Sequence, residues 1–237
     1  MTTTGTQTFN LDLNNLIEEA FERAGAELRT GYDFRTARRS LNLLTIEWAN
    51  RGINLWTIEQ GEIALVQGQI TYNLPVDTID LLDSVIRTQS GIDQTDINIT
   101  RISVSTYASI PNKNAQGRPI QVWIDRQSGA TEPTTGINYP TINVWPAPEQ
   151  SNYYTFVYWR LKRIQDAGNG TNTQDIPFRM LPCLVAGLAY YLAMKIPEAA
   201  PRIEMLKASY EEQWMLASSE DREKAAIRLA PRQMFIG

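Results

Sequence analysis

Histidine is absent from this chain of 237 residues, and Cys183 is its only cysteine. Without an imidazole, Ser-His-Asp and Cys-His catalysis, zinc sites that contain histidine and imidazole-based pH switches are excluded. A lone cysteine makes no intrachain disulfide, which is typical of a reducing compartment. Cys183 lies in the apolar run Leu-Pro-Cys-Leu-Val-Ala-Gly-Leu-Ala, so we expect a small buried hydrophobic residue rather than a nucleophile.

A basic excess is also missing. The chain carries 22 Lys and Arg against 26 Asp and Glu, which gives a formal net charge of -4. This balance argues against affinity for a nucleic-acid backbone, because such binding depends on clustered cationic side chains that release counterions. It suits a protein that lets DNA slide past without gripping it, although mild acidity is also ordinary for cytosolic proteins.

Long hydrophobic runs are lacking too. The longest, from Leu181 to Met194, contains Pro182 and is shorter than the roughly 20 residues that cross a bilayer. The segment Met1 to Thr8 is polar and uncharged, without the basic start and apolar core of a signal peptide. We therefore expect no membrane span and a frayed N-terminal arm.

Apolar residues recur at helical spacing towards both ends of the sequence. Asn10 or Asp12 is expected to cap a first helix, and Asp33 a second helix that ends at Gly52. Asp175-Ile-Pro177 opens a third helix, whose regular part is delayed by Pro182 and which stops at Pro197. A fourth begins at Pro201. This pattern predicts helices that pack on one another.

Between residues 56 and 162 the apolar period changes from helical to two, which predicts about six short strands. Two aromatic strands, within residues 141–162, are predicted to form a hairpin, and residues 67–69 a tight turn between two others. Residues 112–117 form a candidate mobile loop, and residues 166–173 a flexible return loop. The segment as a whole predicts an antiparallel sheet or small sandwich.

The predicted fold class is therefore α+β. We expect a helical bundle of about four helices with an inserted antiparallel β domain and an extended C-terminal tail. The expected divisions are residues 1–60 and 166–225 for the bundle, 61–165 for the β insert and 226–237 for the tail. An insertion of this kind requires its two ends to lie close together.

Acidic residues are the remaining candidates for catalytic groups. Asp77, Asp80 and Asp83 recur at every third position, with Glu59 and Glu62 nearby. Such carboxylates are able to bind a divalent cation or to hydrolyse glycosidic bonds. Because no calcium-loop, nucleophile-elbow, Walker or dinucleotide pattern accompanies them, a polar turn and strand edge is the favoured interpretation, and no cofactor or metal is expected.

Several short stretches, taken in order, resemble the head-to-tail adaptor family of short-tailed bacteriophages, which includes tail tubular protein A and the packaged-DNA stabilisation proteins. Each stretch is weak alone, and their ordered combination over about three quarters of the chain is the signal. They are Trp48-Ala-Asn-Arg-Gly-Ile-Asn-Leu-Trp56, Gly68-Gln-Ile-Thr-Tyr-Asn-Leu-Pro75, Arg101-Ile-Ser-Val-Ser-Thr-Tyr107, Gly117-Arg-Pro119, Trp145-Pro-Ala-Pro148, Asp175-Ile-Pro177, Leu188-Ala-Tyr-Tyr-Leu-Ala193 and Tyr210-Glu-Glu212.

The resemblance implies a non-enzymatic structural protein, made in the host bacterial cytoplasm and carried in the virion at the neck between portal and tail. Its implied partners are the portal protein, the tail nozzle and further copies of itself in a ring, normally of twelve. DNA would pass through the central channel without specific binding. Some members have been linked to cell-wall hydrolysis, so a peptidoglycan hydrolase that uses Asp and Glu is the alternative.

Two candidate contact regions follow. A C-terminal tail contacts the portal in the family, and the apolar, basic end of this chain is expected to do the same or to pack on its own domain. The β insert is expected at the tail-facing side or between subunits, through Trp123 or the loop that contains Pro111, Lys113 and Gly117. The portal-docking tail residues are Arg228, Leu229, Arg232, Met234, Phe235 and Ile236.

Overall fold

The computed structural model describes residues 4–6, 8–52, 55–89, 91–126 and 139–221. The chain divides into two compact units, one made of residues 1–55 with 165–237 and the other of residues 56–164. The described residues form five helices and two four-stranded sheets, so the predicted α+β fold class is confirmed. The predicted tail, residues 226–237, lies outside the described residues.

The first unit is helical and begins with α1 (Leu13–Ala24) and α2 (Gly31–Arg51). Asp12 caps α1 by accepting a hydrogen bond from a backbone N–H, as predicted. The cap of α2 is Thr30 and not Asp33. Asp33 occupies the third helical position, from which its carboxylate accepts from the backbone N–H of Thr30 while the Thr30 hydroxyl accepts from the N–H of Asp33. This reciprocal capping box explains why an acidic residue stands there.

The helix α4 (Leu181–Ala193) forms the centre of the unit and packs against α1, α2 and α5 (Ile203–Glu220). A short 3-10 turn, Phe178–Met180, precedes α4, so the regular helix starts late, as Pro182 predicted. Nearly every side chain of α4 is buried, because helices cover it on several sides. Cys183 is among the buried residues, as expected.

Residues 166–173 pack on the start of α1, although the sequence predicted a flexible loop. The backbone N–H groups of Leu13 and Asn14 donate to the carbonyls of Asn172 and Gly170, each over 2.9 Å. These N–H groups belong to the first turn of a helix and have no partner inside it. The return loop therefore completes the N-terminus of α1.

The second unit contains all eight strands. One sheet has the order β1-β8-β3-β4 and the other β2-β7-β6-β5, and every pairing is antiparallel except the short β5–β6 pair. Buried side chains from both sheets belong to one hydrophobic core. The strands are β1 (Ile58–Ala64), β2 (Thr71–Asn73), β3 (Thr78–Thr88), β4 (Thr95–Asn98), β5 (Thr100–Arg101), β6 (Gln121–Asp125), β7 (Thr141–Trp145) and β8 (Tyr154–Lys162).

Two predicted strand pairings are wrong. The strands within residues 141–162, β7 and β8, do not form a hairpin, because β7 pairs with β2 and β6 whereas β8 pairs with β1 and β3. The turn at residues 67–69 likewise joins β1 to β2 in the other sheet. An apolar period of two indicates which side of a strand is buried. The period does not depend on whether the next strand in sequence pairs in the same sheet or belongs to the sheet on the other side of the core.

Candidate interaction surface of the β unit

A short helix, α3 (Val104–Ala108), presents an aromatic side chain to the outer side of β6. Ser103 caps the helix by accepting from the N–H of Thr106 at 3.2 Å. The ring of Tyr107 then stacks on that of Trp123, with centroids 5.1 Å apart and planes inclined by 24°. Trp123 is half-buried between the buried neighbours Val122 and Ile124, so it belongs to the face of β6 turned away from the core.

Lys113 extends this stack by a third member. Its ammonium lies 5.5 Å from the centroid of the Tyr107 ring, a cation–π distance. The same ammonium donates to the carbonyls of Ala108 at 3.3 Å and Ile110 at 3.0 Å, which are left open at the end of α3. Burial also raises the pKa of the Tyr107 phenol.

The loop that contains Pro111, Lys113 and Gly117 is fastened to the end of β7. The indole Nε1 of Trp145 donates to the carbonyl of Asn112 at 3.0 Å. The N–H of Ala147 donates to the carbonyl of Ala115, and the N–H of Gly117 donates to that of Ala147. A Cβ at Gly117 would make only ordinary contacts with Pro146, so packing does not require glycine there.

We call Val104, Tyr107, Pro111, Lys113 and Trp123 the Trp123 surface. Val104 is 60% exposed and, with Trp123, borders a shallow depression of about 400 Å³. Three of the residues predicted for this contact, Pro111, Lys113 and Trp123, thus lie in one place. Rigid aromatic rings beside an exposed aliphatic side chain are typical anchors of protein interfaces.

Sequence reasoning did not select Tyr107 or Val104 as contact residues. The available signal was the short helical turn before Pro111, which carries one aromatic side chain. Its stacking partner is 16 positions away in sequence, on a strand, and no local pattern connects the two.

The acidic residues considered for catalysis are held by arginines instead. Arg160 is buried and donates to Asp77 at 2.6 Å, to Glu59 at 2.9 Å and to the hydroxyl of Thr78 at 3.0 Å. Burial opposes ionisation of Asp77, but the hydrogen bond and positive charge of Arg160 outweigh it and lower the pKa of this carboxyl. A general acid for glycoside hydrolysis needs the opposite, a raised pKa.

Two of the other acids also pair with arginines, whereas Asp83 makes a local contact. Asp80 pairs with Arg101 at 2.9 Å and also with Arg126, and Glu62 pairs with Arg87 at 2.7 Å. Asp83 accepts from the N–H of the next residue, Ser84. In the part of the chain that the structure describes, no three acidic or thiol side chains are grouped so as to hold a metal ion. Asp83 apart, these carboxylates therefore link segments of the β unit that are distant in sequence.

The residues predicted to dock on the portal lie outside the described part of the chain. They are the portal-docking tail residues Arg228, Leu229, Arg232, Met234, Phe235 and Ile236.

A family model described as SU10 adaptor protein matches residues 12–232. The matched region contains the whole of the second unit, most of the first and every helix and strand described above. No protein of the curated set matches the chain. Among the described residues, no helix is both long enough and apolar enough to cross a membrane.

Proposed function

The chain belongs to the SU10 adaptor protein family, and from this premise we propose that it forms a ring joining the portal to the tail, through which DNA is ejected. Members of the family are phage structural adaptors, so the protein is a virion component that interacts with other phage proteins. The family match over residues 12–232 is the observation that carries the proposal.

The charge of the chain supports a passage for DNA. With a net charge of -4 the protein lacks the basic excess that would hold phosphates by counterion release. A channel wall that bound DNA tightly would slow ejection. We therefore propose that DNA passes through the ring without specific binding.

The composition of the C-terminal tail supports portal docking. Leu229, Met234, Phe235 and Ile236 are large apolar side chains within eleven residues that also contain Arg228 and Arg232. Burying such side chains on a partner would gain roughly 1.5–3 kcal/mol each. A cationic, apolar segment suits a groove with acidic edges, and we assign that groove to the portal.

The Trp123 surface supports a second contact. Its two rings are already stacked, and the Lys113 ammonium is already held by backbone carbonyls before any partner binds, so little side-chain entropy is lost on association. We propose that it contacts the tail nozzle, whereas the C-terminal tail contacts the portal.

Deletion of the residues after Ala226 tests the portal assignment. Binding to purified portal, measured by surface plasmon resonance, is expected to fall at least 100-fold, or about 2.7 kcal/mol. Circular dichroism and thermal unfolding should match those of the full chain. A matched pair of full-length variants, Phe235→Ala and Gln233→Ala, separates an apolar anchor from general disturbance of the tail. Undiminished portal binding by the truncated chain would refute the assignment.

Cryo-EM of the adaptor–portal complex tests the ring itself. We expect a closed ring of twelve copies with an open axis. A complex in which single copies bind the portal without touching one another would contradict the proposal.

A further inference from the structure

A ring of identical subunits needs two different faces on each subunit, one to meet each neighbour. Two helices of the helical unit have exposed outer faces of opposite charge. We propose that the outer face of α2 in one copy docks on the outer face of α5 in the next copy. This inference deepens the proposed function and rests on it for the closure of the ring.

The outer face of α2 is basic and apolar. We define the α2 face as Arg35, Arg39, Leu43 and Ile46, which are spaced four, four and three positions apart and therefore form one stripe. All four are exposed, and Leu43 and Ile46 remain 51% and 43% accessible. The opposite side of the helix supplies buried side chains to the bundle.

The positive charge of this face is uncompensated within the described part of the chain, where neither Arg35 nor Arg39 forms an ion pair. Lys195 lies near the same region and donates to the hydroxyl of Ser40 at 2.6 Å. Burial and then the positive charge of Arg39 lower the pKa of Lys195.

The outer face of α5 is acidic and apolar. We define the α5 face as Glu204, Met205, Ala208, Glu212 and Met215, which again recur at helical spacing and are all exposed. Met205 and Met215 are 61% and 65% accessible, whereas Leu206 and Tyr210 on the other side are buried. In the described residues Glu204 and Glu212 have no cationic partner, although Glu211, one position away, is paired with Arg51.

The two faces are similar in length and polarity and opposite in charge. At about 1.5 Å per residue, the 21 residues of α2 and the 18 residues of α5 measure about 31 and 27 Å. Each face combines two charges of one sign with flexible or branched apolar side chains, and methionine adapts readily to a neighbouring surface. Arginine against glutamate gives ion pairs beside the apolar side chains of the two faces.

The same charges exclude the simpler symmetric contacts. Two α2 faces brought together would oppose four arginines, and two α5 faces would oppose four glutamates. Attraction arises when unlike faces meet, and a repeated unlike contact builds a ring or a filament rather than a two-fold dimer. The exposed Leu43 and Ile46, one and two turns beyond Arg39 on the same stripe, also favour a protein over a DNA backbone as the partner of the α2 face.

One helix pair buries less than the roughly 1,200–2,000 Å² of a standard interface, so free copies should associate weakly. The contact is therefore best detected by covalent cross-linking. Leu43→Cys and Ala208→Cys introduce one thiol into each face. The native thiol does not interfere, because Cys183 is buried and burial raises its pKa to about 12. A thiol–thiol cross-linker that spans about one helical turn tolerates either helix orientation.

At about 1 mM protein, near the range in which weak contacts are populated, a mixture of the two single variants should give cross-linked dimers. The chain with both substitutions should give a ladder of higher oligomers, and each single variant alone should stay monomeric. Reversing the α2 face with Arg35→Glu and Arg39→Glu should reduce the ladder at least tenfold, and adding Glu204→Arg and Glu212→Arg should restore it. The matched control, Glu18→Arg with Glu22→Arg on the exposed side of α1, should leave the ladder unchanged.

The inference is overturned by the absence of a ladder, by a ladder that ignores charge reversal, or by self-cross-linking of a single variant. It is also overturned if Arg35→Glu with Arg39→Glu weakens binding to duplex DNA, measured by fluorescence anisotropy, while the ladder persists. A missing ladder with intact portal binding refutes this interface alone. A charge-sensitive ladder in a chain that fails to bind the portal refutes the proposed function alone.

Discussion

Arg160 is the only charged residue that is buried among those the structure describes. A buried guanidinium is costly unless its donors are satisfied, and here two carboxylates and a hydroxyl receive them. Asp77 precedes β3, Glu59 lies on β1 and Arg160 on β8, so one side chain joins three segments that are far apart in sequence. Asp77 and Glu59, which the sequence offered as candidate catalytic residues, therefore hold segments of the sheet together.

The pH dependence of stability tests this role through Asp77→Asn. The pKa of Asp77 is lower in the folded protein than its ordinary value of 3.8. A lowered folded pKa gives stability that is complete above the unfolded pKa and is lost as the pH falls through the folded pKa. At neutral pH we expect the variant to be less stable by about 1 kcal/mol, since the carboxylate is partly exposed to solvent. Below about pH 3.8 the difference should shrink towards zero.

Urea unfolding followed by tryptophan fluorescence at several pH values measures that difference. Asp83→Asn is the matched control, because Asp83 accepts a local N–H that the asparagine oxygen can also accept. The control should show little change at any pH. A deficit of Asp77→Asn that is the same at pH 3 and pH 7 would contradict the assigned ion pair.

At the scale of single elements, α4 determines how the helical unit packs. Gly187 lets α4 approach its neighbours, since a Cβ there would stand 2.9 Å from Cδ2 of Leu44 on α2 and 2.9 Å from Cε2 of Tyr210 on α5. Both of those side chains are fully buried, and the Tyr210 hydroxyl accepts from Nε1 of Trp48 at 3.1 Å. The neighbours therefore have little room to move.

Gly187→Ala should consequently destabilise the protein despite the better helix propensity of alanine. Overpacking costs about 1–3 kcal/mol, and the propensity gain of about 1 kcal/mol offsets only part of it. We expect a net loss of about 1 kcal/mol in chemical unfolding. Gly31→Ala, at the start of α2 where a Cβ meets nothing within 4 Å, is the matched control and should be neutral or stabilising. Equal stability of the two variants would contradict the prediction, because it would mean that the neighbouring helices move apart enough to accept a methyl group at position 187.

Local signals in the sequence were sufficient for the helices but not for the sheets. Asp12, Pro182 and the 3-4 apolar spacing determine where helices begin and which sides are buried, because these effects act within one or two turns. Strand partners are chosen across the core, so the pattern of β7 and β8 predicted a hairpin that the two sheets do not contain. The prediction that Asp33 caps α2 was wrong by three positions. Asp33 still takes part in the cap, because in a capping box the third residue of the helix pairs with the N-cap residue, here Thr30.

The contact residues divide in the same way. Trp123 and Lys113 were selected from the sequence, and the structure places them in one stack. Tyr107, which joins them, was not selected, because its role depends on a tertiary contact between α3 and β6. The pairing of Asp80 with Arg101 and Arg126 was equally invisible to local patterns.

At the scale of the whole molecule, the proposed adaptor needs contacts that act independently. The portal-docking tail belongs to the end of the chain, whereas the Trp123 surface is built entirely within the continuous middle unit. The α2 and α5 faces are proposed to meet between copies. A protein with this division of roles should lose one partner at a time when one contact is removed.

Trp123→Ala tests that independence. Removing a central aromatic anchor costs about 2 kcal/mol or more, so binding to the purified tail nozzle should weaken by at least about 30-fold. Portal binding should be unchanged, whereas the chain truncated after Ala226 should show the reverse pattern. Ile92→Ala, which removes an exposed apolar side chain elsewhere in the β unit, is the matched control for both assays. Because Trp123 is half-buried on the outer side of β6 and not part of the core, circular dichroism should report an intact fold. Equal losses of both partners by a folded Trp123→Ala variant would show that the two contacts are one.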